Sequence, residues 1–204
     1  MRSHLAYLAA RLMAENGIQD YAAAKRKAAR QAGVPDTRDL PDNQEIEAAL
    51  KAHQSLYQAE EQPIILRGLR EIAVCAMERF SRFNPYLVGS VLTGTAGEHS
   101  DINLHLFADS AKEFEIFLLN EKSEFELETR NFTLNERTEA VPVYRLELDG
   151  ATISAAVFER DDERVTQKYK GDGRPIERAK LSEVKSLLSN TPERQMDKDW
   201  PGAA

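Results

Sequence analysis

The order of apolar and polar residues changes near Asn84-Pro85. Before this dipeptide, apolar residues recur every three or four positions, which is typical of amphipathic helices; after it they alternate with polar residues, which is typical of half-buried strands. We therefore predict an α+β protein in which an N-terminal helical region packs on a small mixed β-sheet. The predicted divisions are 1–62 for the helical region, 63–190 for the domain that carries the sheet, and 191–204 for a polar tail.

Four helices are predicted before the change of period, and glycines or capping residues mark several of their ends. The fourth is the most apolar, so we expect it to pack against the sheet and its Cys75 to be buried and unreactive. The predicted helices are the segment with Leu5, Leu8 and Leu12 up to Gly17, Tyr21 to Ala32 after the cap Asp20, Asp42 or Asn43 to the boundary at Pro63, and Ile64 to Phe83.

The second part of the chain predicts a sheet. Asp149-Gly150 lies between two alternating runs, which is typical of a two-residue hairpin turn. A further helix is predicted near 110–121, and a last one at 181–188. The predicted strands are 86–92, 101–108, 125–134, 141–148 and 151–158.

Composition and charge limit the function classes. The 204 residues, 42% of them hydrophobic, suffice for the core of one domain with a helical extension. The net charge of -7 argues against a broad nucleic-acid surface, so such a partner would need a local patch. The candidate is the basic cluster at Lys25, Arg26, Lys27 and Arg30, which we expect to be a solvated helix face. With no apolar run long enough to span a membrane and no secretory pattern, a soluble cytoplasmic protein is predicted.

The candidate chemistry lies in the stretch from Tyr86 to Phe107, YLVGSVLTGTAGEHSDINLHLF. A first apolar strand ends at Gly89-Ser90, and a second strand begins at Asp101. Because residues two apart on a strand share a face, Asp101, Asn103 and His105 point to one side of the sheet. We expect the two strands to be neighbours, with Gly89-Ser90 near the first residue of the second strand.

This stretch resembles the signature of the polymerase-β-like nucleotidyltransferases. The resemblance implies a sheet of the nucleotidyltransferase type, and transfer of a nucleoside monophosphate from a nucleoside triphosphate to a hydroxyl acceptor. It implies that Gly89, Ser90 and the small residues from Thr93 onward bind the nucleotide, with Ser90 against the terminal phosphate. The acceptor cannot be deduced from the sequence.

The resemblance also implies a catalytic Mg²⁺ site. Asp101 and Asn103 are the candidate metal ligands and catalytic residues, and Glu147 is the candidate for a third acidic residue. Family members have a carboxylate where this chain has Asn103, and the strand at 151–158 offers only Ser154 on the relevant face. We therefore expect a weakened or inactive transferase, or, as an alternative, a non-enzymatic nucleotide-binding or protein-binding module whose partner contacts the N-terminal helices.

Two other interpretations are weaker. The segment from Gly94 to His99 resembles the phosphate loop of the Mur-type ligases, but Glu98 stands where those enzymes have a lysine, and the chain is short for their three domains. His105 has the chemistry of a metal ligand or a base contact. A histidine at this kind of position is more often solvated or hydrogen-bonded, and we expect that here.

Overall fold

The structure, a computed structural model, describes residues 1–18, 20–34, 40–135, 137–168 and 173–189. Within these ranges it contains seven α-helices and a six-stranded mixed sheet, which confirms the predicted α+β class. The helices are α1 (Arg2–Asn16), α2 (Tyr21–Gln31), α3 (Asn43–Tyr57), α4 (Glu61–Arg79), α5 (Ser90–Thr93), α6 (Ala111–Asn120) and α7 (Leu181–Ser189). The strands are β1 (Tyr86–Val88), β2 (Ile102–Ala108), β3 (Glu126–Leu134), β4 (Arg137–Leu148), β5 (Ala151–Glu159) and β6 (Gln167–Lys168).

The chain forms two compact units. The helical unit contains residues 1–66 together with Thr93–Ser100, and the sheet unit contains Arg67–Leu92 and the described residues from Asp101 onward. The division falls inside α4, after residue 66, where the sequence predicted a boundary after residue 62. The assignment of Thr93–Ser100 to the helical unit was not predicted. The predicted polar tail, 191–204, lies outside the described residues.

Small side chains and capped helix ends build the helical unit. The side chain of Asp20 accepts a hydrogen bond from the Ala23 amide at 2.6 Å, which confirms the predicted cap of α2. At the start of α3, Asp42 and Glu45 form a reciprocal capping box, with both bonds at 2.8 Å. Alanines allow α1 to pack closely against both α2 and α3. The core consists of Ala6, Ala9, Ala10, Leu12, Ala24, Ala28, Ile46 and Leu50.

The sheet has the strand order β1-β2-β5-β4-β3-β6. Strands β2 and β5 are parallel, and the other neighbouring pairs are antiparallel. The predicted hairpin between β4 and β5 is confirmed, since Asp149 and Gly150 have φ values of 49° and 80°. No helix in the described part of the chain is long and apolar enough to cross a membrane.

Apolar side chains cover both faces of the sheet. On one face, Ile102, Leu104 and Leu106 of β2 are buried, and Phe114 of α6 packs edge-on against Tyr144 of β4 at 5.3 Å. The opposite face carries a second cluster formed by Phe107, Leu134, Val141, Val143, Ala156 and Phe158. Polar residues on that second face therefore lie beside a core, and are not all in solvent.

Several local predictions were wrong or incomplete. Cys75 is exposed, because the core-facing stripe of α4 runs through Ala73, Ala76 and Met77, and at helical spacing residue 75 points away from it. Strand β1 ends at Val88, and the residues predicted to continue it form α5. The two-residue strand β6 was not predicted, since two residues are too few to display a period.

The capping box gives a stability prediction. Asp42→Ala removes the acceptor for the Glu45 amide and should lower the free energy of unfolding by about 1 kcal/mol in urea titrations followed by circular dichroism. Glu47→Ala, a control on the same helix that loses an i,i+4 ion pair with Lys51, should cost less than about 0.5 kcal/mol. Equal losses in the two variants would show that the box does not stabilise α3.

Candidate functional site

The two strands of the sequence signature are neighbours, as predicted. β1 and β2 pair antiparallel with Val88 opposite Asn103. Gly89 directly follows β1, so the Gly89-Ser90 turn lies beside the beginning of β2. The sheet therefore brings Gly89, Ser90 and Asn103 into one neighbourhood, with Asp101 just before the strand.

Gly89 has a backbone conformation that favours glycine. Its φ is 75°, a conformation that residues with a side chain rarely adopt. A Cβ atom at this position would lie 3.4 Å from Nδ2 of Asn103. A residue with a side chain would therefore strain the backbone, although its Cβ atom would make only an ordinary van der Waals contact with the Asn103 amide.

Arg70 holds the next segment of the turn and was missed by the sequence analysis. This α4 side chain is 9% exposed, and it donates from Nε to the Val91 carbonyl at 3.1 Å and from Nη2 to the Leu92 carbonyl at 3.2 Å. Burial lowers the pKa of Arg70 from its usual value. The sequence feature that could have indicated this role is a charged residue between the apolar Leu69 and Ala73 of the most apolar helix.

A row of three polar residues crosses the sheet next to the turn. In the strand register, Asn103 of β2 is opposite Ser154 of β5, and Ser154 is opposite Arg145 of β4. Paired residues on neighbouring strands share a face, so the three side chains project from the same side. The Nδ2 atom of Asn103 donates to the Asp101 carbonyl at 3.2 Å. Ser154 is 2% exposed, and its hydroxyl makes no hydrogen bond with the described residues.

Asp101 has a cationic partner. Its Oδ2 lies 3.4 Å from Nη2 of Arg145, with the carboxylate side chain 12% exposed and the arginine side chain 38% exposed. Since β5 lies between β2 and β4, the Arg145 side chain crosses β5 to reach Asp101. Arg145 was not predicted from the sequence, because this contact depends on strand order, which local periodicity does not reveal.

Glu147 lies on the same face of β4 as Arg145, two residues further along. It is exposed, and its Oε1 accepts a hydrogen bond from Thr152 Oγ1 at 2.7 Å. The strand adjacent to β2 is β5, which presents Ser154 at this level and no carboxylate. The third acidic position that the resemblance implies is thus displaced by one strand.

The residues present do not fit the expected Mg²⁺. Among the described residues, no group of three or more His, Cys, Asp or Glu side chains is arranged to hold a metal ion. The row instead offers an amide, a hydroxyl and a guanidinium, and Asp101 is paired with that guanidinium. Mg²⁺ selects carboxylates, phosphates and water as ligands, and a neighbouring arginine opposes its positive charge.

Thr93 belongs to the helical unit, where two glutamines hold the loop that it begins. Its Oγ1 lies 3.3 Å from Oγ1 of Thr95. Gln54 donates to the Thr95 carbonyl at 3.0 Å, and Gln62 donates to the Gly94 and Ala96 carbonyls, both at 3.0 Å. The loop continues into β2, whereas a phosphate loop is followed by a helix, so the arrangement does not support the Mur-type interpretation.

Of the two alternatives expected for His105, a solvated or a hydrogen-bonded side chain, burial rules out the first. It is 4% exposed, and its ring packs against Phe158 at 4.8 Å and Phe132 at 5.6 Å in the second cluster. Burial, together with a smaller contribution from the positive charge of Arg178, lowers the pKa of His105 to about 3. The imidazole is therefore neutral near pH 7 and acts as part of the core.

No family model, curated protein or solved structure matches the chain. The protein is therefore classified from its own fold and candidate site. These define an α+β protein with a glycine turn, one carboxylate and a row of hydrogen-bond donors on one face of a mixed sheet.

The buried histidine predicts a pH effect on stability. Its folded pKa of about 3 is below the ordinary value of 6.5. As the pH falls below 6.5, His105 becomes protonated in the unfolded chain but stays neutral in the folded chain. Stability is thus lost between these two pKa values by up to about 1.4 kcal/mol per pH unit.

The test is the difference in unfolding free energy between wild type and His105→Leu, measured by urea titration at about pH 7.5 and about pH 4.5. The difference should shift in favour of the variant at the lower pH. His4→Gln, at an exposed position, should keep the wild-type pH dependence. A His105→Leu protein with the same pH dependence as wild type would contradict the assignment.

Proposed function

We propose that this protein binds a nucleoside triphosphate at a site of the polymerase-β-like nucleotidyltransferase type, and that its transferase activity is weak or lost. One observation carries the proposal. The Gly89-Ser90 turn ends β1 beside Asn103 of the antiparallel strand β2, and Asp101 precedes that strand. This is the relation between turn and strand that the resemblance implies.

The proposed role of the turn is contact with the triphosphate. Glycine leaves no side chain between the backbone and a phosphate, and the Ser90 hydroxyl can donate a hydrogen bond to a phosphate oxygen. Ser90 is half-buried, so part of its surface remains accessible. Arg70 supports this role, because its two bonds to the Val91 and Leu92 carbonyls fix the backbone that follows Ser90.

Weak transfer follows from the charges at the site. Nucleotidyl transfer depends on positioning and on neutralising the negative charge of the phosphates, for which the family uses carboxylate-bound metal ions. In this chain Asn103 occupies the second carboxylate position, and Ser154 lies at the same level on the adjacent strand. Asp101 is already paired with Arg145. Binding of a nucleotide is compatible with this set of residues, and efficient transfer is not.

A second candidate is a protein-binding module in the helical unit. It is favoured by the exposed apolar residues Leu56 and Tyr57 at the end of α3 and Ile64 in α4, which are 74%, 69% and 55% exposed. Binding of a nucleotide distinguishes the two candidates, since a partner site on the helices does not require the Gly89-Ser90 turn.

Isothermal titration with ATP, GTP, CTP and UTP, each with and without Mg²⁺, tests the proposal. At least one nucleotide should bind, and Ser90→Ala should weaken its affinity about tenfold or more, because a hydrogen bond to a charged oxygen is lost. Ser81→Ala, at an exposed serine of the same unit, is the control and should bind as wild type does. If none of the four nucleotides binds the wild-type protein, the nucleotide proposal is rejected and the helical unit becomes the leading candidate.

The missing carboxylate at position 103, as the cause of weak Mg²⁺ binding, is tested separately. Asn103→Asp restores a second carboxylate two residues after Asp101, and it should raise the affinity for Mg²⁺, measured by titration of the metal alone, at least severalfold. Asn131→Asp adds the same charge at an exposed position of β3 and should leave metal affinity unchanged. Equal metal affinity in the two variants would mean that the missing charge at position 103 is not the cause.

A further inference from the structure

We propose that the row formed by Asn103, Ser154 and Arg145 binds a phosphate group without a metal ion, Arg145 supplying the positive charge that a metal would bring. The inference rests on the proposed function for the identity of the ligand, a nucleoside polyphosphate, since it concerns the same face of the sheet. It gives a binding role to the residues that stand where the family pattern has carboxylates.

The chemistry of the row suits an anion. All three groups can donate hydrogen bonds: the amide of Asn103, the hydroxyl of Ser154 and the guanidinium of Arg145. They stand side by side on three consecutive strands, β2, β5 and β4, so the row spans about 10 Å between its outer backbones. Arginine binds phosphate through a planar pair of N–H donors and is charged at every accessible pH.

The buried hydroxyl of Ser154 is a second and independent observation. The residue is 2% exposed, yet its Oγ has no hydrogen-bond partner among the described residues. Buried polar groups are nearly always hydrogen-bonded, so an unpaired one calls for an explanation. A phosphate oxygen bound between Arg145 and Asn103 would lie above Ser154, in the middle of the row, and would provide the missing acceptor.

The Arg145–Asp101 pair is the resting state in this account. Its atoms are 3.4 Å apart, and the arginine side chain crosses β5 to make the contact. An incoming phosphate would compete with Asp101 for the guanidinium and would be repelled by the carboxylate. Neutralising Asp101 should therefore strengthen phosphate binding. In a metal-bridged site the effect has the opposite sign, because the carboxylate holds the metal that holds the phosphate.

The experiment is isothermal titration with inorganic pyrophosphate in EDTA. Wild type should bind, and Arg145→Met should lose about tenfold or more in affinity, because a charge-assisted hydrogen bond disappears. Asp101→Asn should bind severalfold more tightly than wild type. Arg145→Lys keeps the charge without the paired donors and should retain part of the affinity.

Arg130→Met is the matched control. Arg130 lies on β3 of the same sheet, is 39% exposed against 38% for Arg145, and is also paired with a carboxylate, that of Glu128. It should bind pyrophosphate as wild type does. Circular dichroism of each variant verifies that loss of binding is not loss of folding.

Three results of the pyrophosphate titrations would overturn the inference: no binding by wild type in EDTA, equal affinities in Arg145→Met and Arg130→Met, or weaker binding in Asp101→Asn. Nucleotide binding that appears only with Mg²⁺ would overturn it and leave the proposed function standing. Pyrophosphate binding in EDTA without binding of any nucleotide would keep the anion site and reject the proposed function.

Discussion

The backbone pairing of β2 with β1 on one side and with β5 on the other fixes the candidate site. It places Asn103 opposite Val88 and Ser154, and Ser154 opposite Arg145. Side chains alternate between the two faces of a strand, so a slip of one residue in either pairing would turn Asn103 into the Ile102–Leu104 core and break the row. The buried residues Ile102 and Leu104 prevent that slip, and the apolar core therefore specifies the polar site.

The position of Arg145 changes the chemistry of the site. Where the family resemblance implies carboxylates around a metal ion, this face of the sheet combines one carboxylate with one guanidinium and two neutral donors. Because the charges of Asp101 and Arg145 neutralise each other, the pair attracts metal ions poorly. An anion can still engage the arginine, because the Arg145 side chain remains 38% exposed. On this basis we propose binding of phosphate in place of metal-assisted transfer.

Local features of the fold could be predicted from the sequence, and long-range ones could not. The cap at Asp20, the start of α3 at Asp42 or Asn43 and the turn at Asp149-Gly150 are short-range signals, and the structure confirms them. The row of donors depends on the parallel pairing of β2 with β5, two strands far apart in sequence, and no local period encodes it. The burial of His105 was not predicted for a related reason. Its burial requires a second apolar cluster that Phe132 and Phe158 bring from other strands.

The central claim is that a nucleotide binds at the Gly89-Ser90 turn, which follows β1 and lies beside the beginning of β2. The most direct measurement is a titration of ¹⁵N-labelled protein with the nucleoside triphosphates, followed by two-dimensional NMR. The account predicts that the largest shifts occur at the backbone amides of Gly89 and Ser90 and at the side-chain amide of Asn103. Shifts confined to the helices α1 to α3, or no shifts at all, would contradict it.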